Sequence, residues 1–276
     1  MHQTKLNVKP AHDGVLLLDF LASGLELSRR KAKALLDTRK VFVNRAPVWM
    51  AHHRLRAGDV VETTGAPATS QPRAAGILCE DTHYFVADKP CGILSNGERS
   101  LEALLRQSRR DPALLAAHRL DRDTTGCLLF ALDRTSFDAA VSEFKAHRVR
   151  KTYHVIVAGP FNVTHFRITK PIEGQRAETI VHTLDSSAEA SHLTAVIETG
   201  RTHQIRRHLA SMGHPVLGDQ RYGARMPASD KMLQVPRQMI HAARLEFEDP
   251  LTHKRIAAGS PLPADFRNCL RLYHLT

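Results

Sequence analysis

From His118 to Leu132 the chain reads HRLDRDTTGCLLFAL, and its two halves have opposite characters. The second half, around Cys127–Ala131, is a short unbroken apolar run, the pattern of a strand buried on both faces. The first half crowds His118, Arg119, Asp121, Arg122 and Asp123 directly ahead of that strand. Charges that enter a core are costly unless they are paired or used. Judged by its residues alone, the segment is either a functional site or a turn built on Asx and Thr backbone bonds and released by Gly126.

Working outward, further strands are predicted over 84–87, 151–158, 192–198 and 241–247, and helices over 101–107, 136–146, 203–211 and 264–270. Strands and helices do not alternate strictly, so a doubly wound parallel sheet is not indicated. The pattern points to an α+β domain on a mixed, largely antiparallel sheet.

The N-terminal part has its own organisation. Val15–Leu21 is apolar enough for two helical turns, and Ser28 is placed to N-cap a second helix over 29–38. In that helix Ala32, Leu35 and Leu36 share one face, while Arg29, Arg30, Lys31 and Lys33 fall mostly off it. Lys40 opens a short strand that runs into a turn at Asn44-Arg45, and LRAGDVVE (55–62) reads as a turn and a closing strand. Residues 64–75, with two prolines and many small residues, read as a linker. The expected division is therefore 12–63, a linker over 64–75, and 76–276.

Composition narrows the function. The 276 residues carry 39 Lys and Arg against 28 Asp and Glu, a formal +11 that favours polyanions, nucleic acid above all. No apolar run approaches the ~18 residues of a membrane span, and the first residues lack a secretory h-region. Four scattered cysteines without a CxxC pair fit a reducing cytoplasm better than a disulfide scaffold or a zinc ribbon. HExxH, GxSxG, GxxxxGK[ST] and GxGxxG are all missing, which counts against zinc proteases, nucleophile-elbow hydrolases, P-loop NTPases and Rossmann enzymes.

A second polar cluster follows at Gly200-Arg201-Thr202-His203-Gln204-Ile205-Arg206-Arg207-His208, then GHPVLGD (213–219) and Tyr222-Gly223. It reads as a helix capped by Thr202 or a neighbour. Either it is a basic surface helix or it brings a second set of functional side chains, as its Gln, His and bracketing glycines suggest.

HRLDRDTTG, KTYHVIVAG and GRTHQIRRHLASMGHPVLGDQRYG, in that order, resemble the RluA family of pseudouridine synthases, with DKPCG (88–92) before them and HAARLEFEDPLT after. The likeness covers about residues 76–276. SRRKAKALLDTRKVFVN followed by LRAGDVV resembles an S4 RNA-binding domain, a common companion in this family. Two positions depart from the family pattern: Thr125 stands where Ser is usual, and Ser95-Asn96 where a His often follows KPxG.

The resemblance implies an RNA uridine-to-pseudouridine isomerase that needs no metal, redox cofactor or nucleotide. It implies Asp121 as the carboxylate at C1′, Arg206 as the cation that keeps it ionised, and Tyr153 as the ring against the uracil, its hydroxyl placed to help remove the C5 proton. Arg119 is expected to enter the gap as the base flips out, and Ile205 to pack beneath the base. His118, Lys89 and Arg201 complete the expected substrate-binding set, with Lys151 and His203 assigned to phosphate or structural contacts. Arg29, Arg30, Lys31, Lys33 and Lys40 are the expected RNA contacts of the small module.

Ribosomal RNA of the large subunit is favoured over transfer RNA as substrate, and a monomer is the default. A non-catalytic RNA-binding or ribosome-assembly protein is the alternative. A nucleosidase using Asp121 and Asp123 is disfavoured, because the neighbouring arginines keep both carboxylates ionised and leave no general acid.

Overall fold

The computed structural model describes residues 3–37, 41–48, 50–64, 75–219, 221–223 and 230–276. The chain divides into two compact units, Met1–Gln71 with Ala228–Pro236, and Pro72–Pro227 with Arg237–Thr276. Lys40 and linker residues 65–74 lie outside the described residues. Among the described residues no helix is long and apolar enough to cross a membrane.

The small unit is built from β1 (Gln3–Asn7), α1 (Leu17–Gly24), α2 (Arg29–Asp37), β2 (Val41–Val43), β3 (Ala46–Pro47) and β4 (Val60–Thr64). Its sheet runs β1-β4-β2-β3, all antiparallel. β1 lies ahead of residue 12, where the module was expected to begin. Ser28 Oγ accepts from the Lys31 amide at 3.2 Å, so the expected cap is made. Ala32, Leu35 and Leu36 are buried against Leu17, Leu21 and Val61. Arg29, Lys31 and Lys33 are exposed, and the backbone of Arg30 lies on the same helix. The β2–β3 turn holds Asn44 and Arg45 at φ 51° and 66°, the left-handed pair of a type I′ hairpin. Asn44 locks it by donating to Asp59 and accepting from the Val60 amide.

The large unit contains β5 (Ile77–Glu80), β6 (Tyr84–Lys89), α3 (Leu101–Arg109), β7 (Leu115–Ala116), β8 (Thr125–Ala131), α4 (Arg134–Lys145), β9 (Arg150–Ala158), β10 (His165–Ile168), β11 (Thr179–Ser186), β12 (Ala190–Ile197) and α5 (Gln204–Ser211). After the short α6 (Asp230–Leu233), which groups with the small unit, come β13 (Ile240–Glu248), β14 (Arg255–Gly259) and α7 (Ala264–Leu272). The sheet runs β10-β11-β12-β9-β13-β8-β6-β5, with β14 on β13 and β7 on β8. Among the described strands only β8 and β13 pair in parallel, over two residue pairs, so the sheet is mixed and largely antiparallel. β10 and the second half of β11 escaped sequence reading because they mix half-buried and exposed residues, and β14 because its strict alternation spans only five residues with small side chains.

Every residue of β8 is buried because the sheet is covered on both faces. Leu128 and Phe130 join the core beneath α3 and α5, with Phe85, Val155, Leu193 and Leu209. Cys127, Leu129 and Ala131 join the core on the other face, with Val86, Ala140 of α4, Leu245 and Phe247. Gly126 opens the strand at φ 107°, where a Cβ would meet the Ala242 carbonyl oxygen at 2.2 Å. Only glycine lets β8 pass that close to β13. The loop 118–124 is thereby fixed against one end of the sheet.

Candidate active site

The charges ahead of β8 are held mainly by backbone and by a few buried side chains. Lys89, the last residue of β6, is fully buried and donates to the carbonyls of Pro90, Arg122 and Thr124 at 3.1, 2.8 and 2.8 Å. Burial pushes its ammonium down to about 8. The Gly92 amide also donates to the Arg122 carbonyl. Ser95 grips Leu120 twice, accepting from its amide at 2.9 Å and donating to its carbonyl at 3.0 Å. DKPCG and the residues after it therefore cradle the backbone on either side of Asp121.

The residue after β8's entry turn is fixed from the other side by Arg237, 1% exposed. It donates to both carboxylate oxygens of Asp265 on α7, to the carbonyls of Asp123, Gln238 and Ile240, and to the Thr125 hydroxyl. Thr125 Oγ1 also bonds His241 Nδ1 at 2.9 Å. The hydroxyl kept at this position thus has two buried partners.

Asp121 itself stands partly open, its side chain 27% exposed. Arg206 Nη1 donates to its Oδ2 at 2.8 Å, and Gln238 Nε2 approaches the same oxygen at 3.4 Å. His203 Nε2 lies 3.8 Å from Oδ1. Arg206 is in turn clamped by the buried Asp219, with Nε at 2.6 Å and Nη2 at 2.9 Å. Burial works against the guanidinium charge, but the hydrogen bonds and charges of Asp219 and Asp121 outweigh it and raise its pKa. Asp219 also accepts from the Arg221 and Tyr222 amides, which sets the turn that lays the Tyr222 ring against Arg206, 5.2 Å from centroid to guanidinium. Gly223 completes that turn, its amide bonded to the Asp219 carbonyl where a Cβ would stand 2.3 Å away.

The second cluster separates into faces on α5. Gln204 accepts from Thr199 Oγ1 and the Arg201 amide and donates to the Glu178 carbonyl and Thr179. His208, one turn on, bonds Thr179 and the Lys170 carbonyl. These two pin the helix to β11, leaving Arg206 to face Asp121. The helix begins at Gln204, not 203, and no side chain caps it: His203 occupies the N-cap at φ 56°. The expected cap by Thr202 or a neighbour is corrected: His203 stands at the N-cap, and no side chain bonds an amide of the first turn.

Tyr153 sits on β9 between Ala195 and Ala242 of the flanking strands, nearly buried. Burial raises its pKa, and the charge of Asp121 adds to the rise. Ile205 is buried in the same core cluster. Arg119 is exposed. Arg201 is half-buried and donates to the Arg176 carbonyl.

Two expected substrate contacts have other employment. Lys89 has no exposed surface, and its ammonium is taken up by carbonyls. His118 accepts from the Leu129 amide at 3.1 Å and packs on Phe144, and burial pushes its imidazole down to about 3. Lys151 is likewise buried over Phe144. All three hold the loop and sheet in place. Sequence reading gave no role to Asp219 and Tyr222, although both lie in the quoted GDQRYG. It passed over Ser95's grip, Arg237 and Gln238 altogether.

Residues 83–211 match the family model described as RNA pseudouridylate synthase. The chain is 31% identical over 265 residues to ribosomal large subunit pseudouridine synthase C of Vibrio cholerae, covering 84% of each. It is 29% identical to the uncharacterized RNA pseudouridine synthase YhcT of Bacillus subtilis, over 96% of each. Among solved structures it is similar to human RNA pseudouridylate synthase domain containing 4, with a TM-score of 0.61 and 22% identity, covering 73% of this chain and 94% of that one.

Proposed function

The chain belongs to the RNA pseudouridylate synthase family, and on that premise we propose that it converts a uridine of large-subunit ribosomal RNA to pseudouridine, with Asp121 as the reacting carboxylate. The observation that carries this reading is the chain Asp219–Arg206–Asp121. A buried carboxylate fixes a guanidinium, and the guanidinium holds one oxygen of a second, accessible carboxylate. Oδ2 is occupied, so Oδ1 is the oxygen available to the substrate.

In this reading Oδ1 attacks C1′, and the N1–C1′ bond breaks with its electron pair passing to the uracil. The base turns and C5 bonds to C1′, returning the pair to Oδ1. C5 loses its proton and N1 gains one, so the product is an isomer and no other reactant is consumed. The raised pKa of Tyr153 keeps its phenol neutral, which suits a ring packed against an anionic base. Arg119, exposed beside the loop, is free to replace the flipped nucleotide in the stack.

The choice of ribosomal RNA rests on relatives named ribosomal large subunit pseudouridine synthases C and D. The S4-like reading of the small unit rests on its two helices, its antiparallel sheet and the exposed Arg29, Lys31 and Lys33. The test is Asp121→Asn, assayed for pseudouridine in ribosomal RNA from cells lacking the gene. The expected result is loss of conversion with RNA binding kept. Undiminished conversion overturns the assignment of Asp121.

A further inference from the structure

His203 is held in a way that a merely structural residue at a helix start does not require. Its backbone sits at φ 56°, in the left-handed region that costs a side-chain-bearing residue energy, yet its side chain caps nothing. The ring points across the site, Nδ1 3.0 Å from the Tyr222 hydroxyl and Nε2 3.8 Å from Asp121 Oδ1. That oxygen is the one Arg206 leaves open.

The tautomer follows from the surroundings. With a bare nitrogen facing Asp121, the imidazole lone pair would oppose a carboxylate. With the proton on Nε2, the ring dipole points favourably at it, and Nδ1 accepts from Tyr222. Burial lowers the imidazole pKa further than the neighbouring carboxylates restore it, so the ring is neutral at pH 7. An N–H donor is therefore aimed at the space beside Oδ1 but too far away to bond it. A substrate atom lying to the side of this pair is within reach of both the donor and Oδ1.

We propose that His203 is a further catalytic residue, its Nε2–H donating to the uracil O2 as the N1–C1′ bond breaks. The electron pair that leaves C1′ spreads from N1 onto the ring carbonyls, and a fixed donor there stabilises the transition state more than the ground state. No proton leaves His203. Tyr222 acts through it as a positioning residue, itself placed by Asp219. The proposal rests on Asp121 being the reacting carboxylate.

The experiment measures single-turnover pseudouridine formation and RNA affinity on large-subunit ribosomal RNA from cells lacking the gene. It compares wild type with His203→Leu, His203→Gln and Tyr222→Phe. His203→Leu is expected to slow the reaction about a hundredfold with RNA affinity within about twofold, the scale of losing one such donor. His203→Gln, which restores an N–H at similar reach, is expected to recover at least tenfold of that loss. Tyr222→Phe is expected to fall between them.

A pH profile adds a readout that loss of packing does not move. Asp121, Asp219, Arg206, Arg221 and Tyr222 surround the ring. On protonation the imidazolium closes on Oδ1, so wild-type rate falls in acid, and His203→Gln shifts that fall to lower pH. His203→Leu turning over as fast as wild type overturns the role of His203 alone. Wild-type speed in Asp121→Asn overturns the reading of the carboxylate beneath it.

Discussion

Arg206 and Asp219 meet through two hydrogen bonds, at 2.6 and 2.9 Å, and the Asp219 side chain has no exposed surface. The pair is the foundation on which Asp121 rests. The third guanidinium contact, to Asp121, is made by the one nitrogen the pair leaves over.

Asp219→Asn keeps the size and one acceptor but removes the charge that balances Arg206. The guanidinium is then free to close more tightly on Asp121, which lowers the reactivity of the carboxylate. Single-turnover rate is expected to fall at least tenfold with RNA affinity little changed. Asp219→Ala leaves the buried Arg206 without its two-bond partner and is expected to cost about 3–5 kcal/mol in denaturant unfolding. Wild-type rate in Asp219→Asn would show that Asp121 is placed without this pair.

Arg237 performs the corresponding service for the backbone. Its nitrogens reach Asp265, three carbonyls and Thr125, a set no other side chain can satisfy. Arg237→Lys keeps the charge and loses the fork. Breaking a buried pair of this kind costs about 3–5 kcal/mol, and Lys is expected to fall at the lower end. A change in unfolding free energy below about 1 kcal/mol would count against Arg237 as the anchor of the loop.

Gly126 is the third support, and its failure would be steric. A Cβ there meets the Ala242 oxygen at 2.2 Å and the residue must hold φ 107°. Gly126→Ala is expected to cost about 3 kcal/mol or more, from backbone strain and from prising β8 off β13. Chemical denaturation measures it. Hydrogen exchange should show the loss of protection first at Cys127 and Ala242.

These supports divide neatly into what the sequence displays and what it conceals. Asp121 and Arg206 were singled out by the family resemblance; the polar runs around them, read by their residues alone, left a turn and a surface helix equally open. The face of α2 was legible because its period is undisturbed, and the strands over 84–87, 127–131 and 151–158 because their apolar runs are concentrated. Arg237-Gln238 was not, because PRQMI carries no cluster and no period. Its meaning arises only when the chain brings it to Asp123, 114 residues earlier. Lys89 misled for a related reason: inside a polar motif, a buried anchor and a substrate contact are spelled with the same letters.

The buried and half-buried histidines make stability depend on pH in a range where carboxylates are silent. Burial holds His118 down to about 3 and His154 down to about 4, and it lowers His192, His208 and His241 as well. In the unfolded chain each titrates near 6.5. As pH falls below that value the unfolded state takes up protons and the folded state does not, so stability declines. The decline runs from about 6.5 down to the folded values. Paired carboxylates such as Glu246, held at about 2 by Arg244 and Arg255, add the same sign only lower, below about 4.5. The melting temperature is therefore expected to drop by several degrees between pH 7 and 5, ahead of the carboxylates. His118→Gln, whose amide oxygen can accept from Leu129, should flatten part of that slope while costing stability at pH 7. A melting temperature constant from pH 7 to 5 would mean that these rings take up protons in the folded protein, contrary to their burial.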